Sequence, residues 1–109
     1  MITIEDFDKV QICIGTVVEV SMNKKARKPA YKVKLDFGDE IGIKTSSAQI
    51  TELYQPDDLL GKQLVCCVNL EPMHIGSVKS EVRILGTESA QGVVLLAPLE
   101  SVENGDRVF

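Results

Sequence analysis

Tryptophan is absent from these 109 residues, only five aromatic residues occur, and His74 is the one histidine. Sequence-tolerant binders of single-stranded nucleic acid stack bases on exposed rings, so a chain this poor in aromatics is not built for that task. A lone histidine, with no Cys or Ser partner near it in sequence, gives no base-and-nucleophile pair. No catalytic residues are assigned, and no enzyme is expected. Cys13, Cys66 and Cys67 are odd in number and include no C-x-x-C. A disulfide framework and a metal site are both excluded on that ground, and the thiols read as reduced packing groups. No glycine-rich loop is shaped to cradle phosphate, and no cofactor is implied. No apolar run approaches the ~18 residues of a membrane span, and the start lacks the basic-then-apolar pattern of a signal peptide. The chain therefore reads as a cytoplasmic, single-domain protein over residues 1–109, with no membrane insertion.

Hydrophobic residues make up 44% and charged residues 26%, ordinary values for a globular domain. Net charge is −4, but its distribution carries more information. Residues 24–44 hold seven of the twelve basic residues (Lys24, Lys25, Arg27, Lys28, Lys32, Lys34, Lys44) and three of the sixteen acids, a local +4 against −8 for the remainder. A cationic patch on an acidic body suits selective contact with an anionic partner, because the rest of the surface repels wrong docking.

Thr3 to Phe7 predicts one capped helical turn. Val10 to Val20 alternates as an eleven-residue strand, with Gly15 placed for a bulge or bend. After a polar, basic loop from Ser21 to Pro29, Tyr31, Val33, Leu35 and Phe37 alternate with Lys32, Lys34 and Asp36 in a second strand. Gly38-Asp39 predicts a tight turn into a third strand through Ile41 and Ile43. Ser46 with Gln49 forms a capping-box pattern, and Ile50, Leu53 and Tyr54 give a helical stripe ended by Pro56. Pro56 to Gly61 reads as a short turn with acidic N-terminal residues and a glycine exit. Gln63 to Leu70 is a fourth strand, apolar on both faces. Glu71 to Lys79 reads as a loop, and Ser80 to Gly86 as a fifth strand. A tail follows, with Val93 to Ala97 and the turn Asn104-Gly105 before Val108-Phe109 forming a surplus apolar strand pair.

Three strands, a short helix and two strands, the first long and bent, is the order of an OB-fold. The predicted fold class is all-β: a five-stranded OB barrel with a short helix between strands 3 and 4 and terminal extensions. Such barrels bind nucleic acid across strands 2 and 3, between the loops joining strands 1–2 and 4–5. The first of those loops carries Arg27 and Lys28, and the alternation assigns Lys32, Lys34 and Lys44 to the outward face. With few rings available, lysine and arginine contacts to the backbone of a folded RNA fit better than base stacking.

Asp6-Phe-Asp-Lys-Val10, Ile14-Gly-Thr-Val17, Val33-Lys-Leu-Asp-Phe-Gly38, Leu60-Gly-Lys62, Val68-Asn-Leu70 and Ser80-Glu81 resemble the EMAP-type tRNA-binding domain. Ala26-Arg-Lys-Pro-Ala-Tyr-Lys32 and Ile43-Lys-Thr-Ser-Ser-Ala-Gln-Ile-Thr51 resemble its CsaA branch of secretion-related, peptide-binding chaperones. The resemblance implies an OB core, a homodimer using the terminal extensions, and tRNA as partner. It places Lys44, Ser46, Ser47, Gln49, Asn69, Lys79, Ser80 and Glu81 around the functional surface. One departure stands out: where relatives carry a basic pair after Asn69-Leu-Glu-Pro72, this chain has Met73-His74. That exchange weakens phosphate binding and favours a second reading. In it, unfolded or pre-secretory polypeptides lie in an apolar groove near Met73, His74 and Ile75.

Overall fold

A computed structural model describes all of residues 1–109. Helix α1 (Ile4–Asp8) opens the chain; Thr3 and Asp6 satisfy each other's backbone N–H groups in a capping box. Strand β1 (Ile12–Met22) is eleven residues long, set two residues later than its alternation indicates. It pairs antiparallel with β2 (Tyr31–Asp36) through its second half and with β4 (Gln63–Cys67) through its first. One long strand thereby serves both sides of the barrel.

The irregularity in β1 lies between Val17 and Glu19, not at Gly15. Gly15 has another purpose: a Cβ there would sit 2.7 Å from the ring of Phe37, a side chain only 1% exposed. The glycine is the space into which the Phe37 ring, the largest fully buried side chain, packs.

Strand β3 (Ile43–Ala48) follows β2 across the one-turn helix α2 (Gly38–Ile41), so the tight hairpin read at Gly38-Asp39 is replaced by a helical turn. Gly38 and Gly42 bracket it at φ +89° and +85°, a region costly for any residue with a Cβ. The helix read at Ser46–Tyr54 is absent. β3 runs through Ser46 to Ala48 because Tyr31 at the start of β2 needs Ala48 as its register partner. The helix between the third and fourth barrel strands is α3 (Pro56–Leu59), where Asp58 reaches back to the Gln55 N–H at 2.8 Å and Gly61 exits at φ +79°.

The segment read as a loop at 71–79 is a hairpin of β5 (Met73–Ile75) and β6 (Val78–Ser80). The fifth barrel strand is short, with β7 (Arg83–Ile84) pairing on β4. Glu81 completes the closure. Its N–H donates to the Thr45 carbonyl at 2.7 Å, and its carboxylate accepts from the Thr45 N–H at 3.1 Å. The five-stranded sheet, in the order β3-β2-β1-β4-β7, thus curls into a nearly closed barrel. In the tail, β9 (Gly92–Leu95) pairs with β8 (Gly86–Ser89), not with Val108-Phe109. Residues 105–108 lie instead along β1, with Gly105 and Val108 donating to Ile14 and Ile12.

The core collects Val17, Val33, Leu35, Phe37, Leu59, Leu64, Cys66 and Val82. No helix is long and apolar enough to cross a membrane.

Candidate nucleic-acid interface

β2 alternates as its sequence demands: Tyr31, Val33 and Leu35 are buried, Lys32, Lys34 and Asp36 half-exposed. Residues directly opposed in an antiparallel pair share a face. Lys32 is opposed by Ser21 on β1 and Ser47 on β3, and Lys34 by Glu19 and Thr45, so these residues form one outer wall. Lys34 meets Glu19 at 3.6 Å; the pair is exposed and adds little stability, but it halves the wall's free charge. Lys44 does not belong to this wall. Its register partner is Leu35, which puts it on the side of Leu35 and Ser46.

Five cations without ion pairs cluster at one end of β2. Lys24, Lys25, Arg27 and Lys28 occupy an exposed loop leading to Lys32, none of the five is ion-paired, and no acid interrupts residues 20–35. Asp36, Asp39 and Glu40 stand at the opposite end of the strand. The +4 window is therefore polarised along β2.

Asn23 organises the basic end. It is 4% exposed; its N–H donates to the Ala30 carbonyl at 2.9 Å, closing the base of the loop. Its side-chain amide donates to Ser47 Oγ at 3.0 Å and to the Ile75 carbonyl at 2.8 Å. One residue thus ties the basic loop to β3 and to the β5–β6 hairpin. The hairpin tip abuts the loop as well, because a Cβ on Gly76 would lie 2.7 Å from the Lys25 carbonyl carbon. The loops joining barrel strands 1–2 and 4–5 form one corner as a result, with exposed Lys79 and His74 paired across the hairpin. Sequence reasoning missed Asn23, whose only signal was a turn-forming residue at the end of a long strand.

Several sites inferred by resemblance are engaged internally. Asn69 accepts from the Gln11 N–H at 2.9 Å and donates to the Lys9 carbonyl at 2.7 Å, fastening α1 to the end of β4. Ser80 Oγ accepts from the Ser47 N–H, and Glu81 closes the barrel. Ser46 is 2% exposed. Gln49 and Lys79 are exposed and Ser47 is half-buried.

On the side of β3 away from β2 lies a cleft of about 600 Å³. Ile50, Leu70, Met73, Ile75 and Val93 line it, together with Glu71, Glu81, Glu88 and Arg83. Met73 is 65% exposed there, whereas His74 points from the other face of its strand and does not line the cleft. Three carboxylates against one guanidinium make the cleft unsuited to phosphate. Met73, Ile75 and five of the eight candidates inferred by resemblance (Ser46, Ser47, Gln49, Ser80 and Glu81) border this cleft; Lys24, Lys25, Arg27, Lys28 and Lys32 do not.

Cys13 and Cys66 are held as thiols. Burial pushes Cys66 from 9.0 up to about 12, with Cys13 and Cys67 adding to the shift. Burial also raises Cys13, partly offset by the nearby Arg107. Thiolate is the reactive form, and both sites suppress it.

Residues 12–107 match the family described as a putative tRNA binding domain. The chain belongs to that tRNA-binding domain family. Among its relatives, the methionine–tRNA ligase of Pyrococcus furiosus is 36% identical over 107 residues, which are 98% of this chain and 14% of that enzyme. The chain thus spans about one seventh of the curated relatives it matches. Solved structures match over full length. The CsaA chaperone protein from Picrophilus torridus is 48% identical with a TM-score of 0.95, covering 100% of both chains. Chaperone CsaA from Bacillus anthracis is 44% identical with a TM-score of 0.92, covering 100% of this chain and 99% of that one.

Proposed function

We propose that the chain is a non-catalytic RNA-binding module that holds folded RNA of the tRNA class by its phosphates, at the loop end of the barrel. The observation that carries this reading is the set of five unpaired cations, Lys24, Lys25, Arg27, Lys28 and Lys32, in a stretch free of acids and braced by Asn23. Membership in a tRNA-binding domain family supports it. Affinity for tRNA is expected to fall steeply with salt and to depend on those cations. Fluorescence anisotropy across a salt series tests this. Binding in the cytoplasm as a homodimer fits the apolar groups left uncovered near the termini, Ile2, Ile4 and Phe109 among them; a monomer mass by light scattering contradicts the dimer.

A second reading is favoured by the cleft. Its apolar lining and excess of carboxylates suit a polypeptide carrying apolar and basic side chains, and two relatives bear the name chaperone. Calorimetric titration with such a peptide, unaffected by removing Lys32, is the expected result.

A further inference from the structure

We propose that the β5–β6 hairpin holds a further phosphate of the bound RNA between Lys79 and His74, and that the imidazole takes up a proton as the RNA docks. This rests on the RNA reading above and goes beyond it by adding a second, pH-dependent contact. His74 and Lys79 are register partners across the hairpin, and both are exposed. Residues opposed in this way have Cβ atoms about 4.5–5.5 Å apart, so two long side chains can reach one phosphate group. Met73, Ile75, Val78 and Ser80 form the hairpin's other face, turned to the acidic cleft and the core. The Gly76 tip packs on the backbone of Lys25, and the Ile75 carbonyl accepts from Asn23, which closes the basic loop. RNA lying on that loop therefore has the Lys79–His74 pair at its border.

The charges around the pair favour an anion. The adjoining loop supplies Lys24, Lys25, Arg27 and Lys28, and neither these nor Lys79 is ion-paired. β6 packs alongside β3, whose outward residues Thr45 and Ser47 are uncharged. Two carboxylates lie near, and both are turned elsewhere. Glu71 lines the cleft, and Glu81 accepts from the Thr45 N–H. Histidine is the side chain whose charge ordinarily changes between about pH 5 and 8. A proton on His74 sets two like charges directly opposite each other, which is unfavourable until an anion lies between them. Phosphate binding and protonation therefore strengthen one another, by the same factor in each direction. With a neutral imidazole the hairpin offers Lys79 alone, and no phosphate is held there.

The test titrates the intact protein into labelled tRNA, read by fluorescence anisotropy across a salt series. It is run at about pH 5.5 and about pH 7.5, toward the two ends of histidine's range. The slope of log affinity against log salt is expected to be steeper by about 0.7 to 0.9 at the lower pH, one phosphate's share. His74→Gln is expected to show the shallower slope at both pH values, and His74→Lys the steeper slope at both. Thermal melts confirm that each variant is folded. If the wild-type slope does not change with pH, or His74→Gln keeps the change, the hairpin contact is wrong while the RNA reading stands. If tRNA binds at neither pH, both are wrong.

Discussion

Removing Lys32 tests the assignment of the RNA surface, because the register makes opposite demands on two lysines that the sequence treats alike. Each phosphate neutralised contributes about 0.7 to 0.9 to the slope of log affinity against log salt. Five free cations at the loop end then give a slope of about −3.5 to −4.5 for tRNA, and a loss of about 100- to 500-fold in affinity between about 50 and about 200 mM salt. Lys32→Ala is expected to reduce the slope by about 0.7 to 0.9, one phosphate's share. Lys44→Ala is expected to leave it unchanged, because Lys44 shares the side of Leu35 and Ser46 and not the wall of Lys32. The assay is anisotropy of labelled tRNA at five or so salt concentrations, with circular dichroism confirming the fold. Equal slopes for both variants, or a larger change for Lys44→Ala, would refute the assignment of the outer wall.

Gly15→Ala is expected to cost about 1–3 kcal/mol in urea denaturation, because the new methyl meets the Phe37 ring at 2.7 Å in a filled core. Combining it with Phe37→Leu should recover part of that loss. Asn23→Ala removes two donated hydrogen bonds and should cost about 1–3 kcal/mol while weakening tRNA binding; a variant with wild-type affinity would mean that loop order is irrelevant to binding. Alkali should destabilise the fold through Cys66. Its folded pKa of about 12 exceeds its ordinary 9.0, so the unfolded chain releases its proton first and this contribution is complete below pH 9. It is lost between pH 9 and about 12, at about 1.4 kcal/mol per pH unit. Comparing that decline with Cys66→Ala isolates it, and parallel curves would contradict the burial argument.

Strands carrying large apolar side chains at every second position were legible from sequence; β2 follows its alternation, and β4, read as apolar on both faces, is found at the start of its predicted range as Gln63–Cys67. β3 was not, because Thr45, Ser46 and Ser47 are small and polar on both faces and do not declare a period. Ser46 is buried opposite Val33 only because the register with β2 puts it there. The β5–β6 hairpin did leave a trace. Gly76-Ser77 is a two-residue turn between alternating segments, and Gly76 at φ +61° supplies the positive angle that primed turns require. The exposure of the basic loop and the outward face of Lys32 were legible from sequence, the first from its run of charges and the second from local alternation. The face of Lys44 was not, because it depends on pairing with a distant strand. Asn23 was invisible because its function is to join three segments that meet only in the folded chain.

An acidic protein can present a basic end to RNA because its charges are separated by more than the screening distance. Lys32 and Asp36 are four residues apart on an extended strand, about 13 Å at about 3.3 Å per residue, while the Debye length is about 8 Å at physiological ionic strength. A phosphate at the loop end therefore feels the five nearby cations and little of Asp36, Asp39 and Glu40 at the far end of β2. At about 0.01 M salt the Debye length grows to about 30 Å, comparable to the molecule's extents of 38 × 30 × 29 Å. The whole net negative charge then opposes the approach. The log–log plot of tRNA affinity should consequently bend and flatten below about 30 mM, where the Debye length reaches about 18 Å. A variant with several distal acids neutralised, such as Asp57→Asn/Asp58→Asn/Glu103→Gln, should keep rising further before it flattens. A plot that stays straight to the lowest salt for both proteins would show that the acidic body is never felt, and that its charge contributes nothing to choosing where the RNA docks.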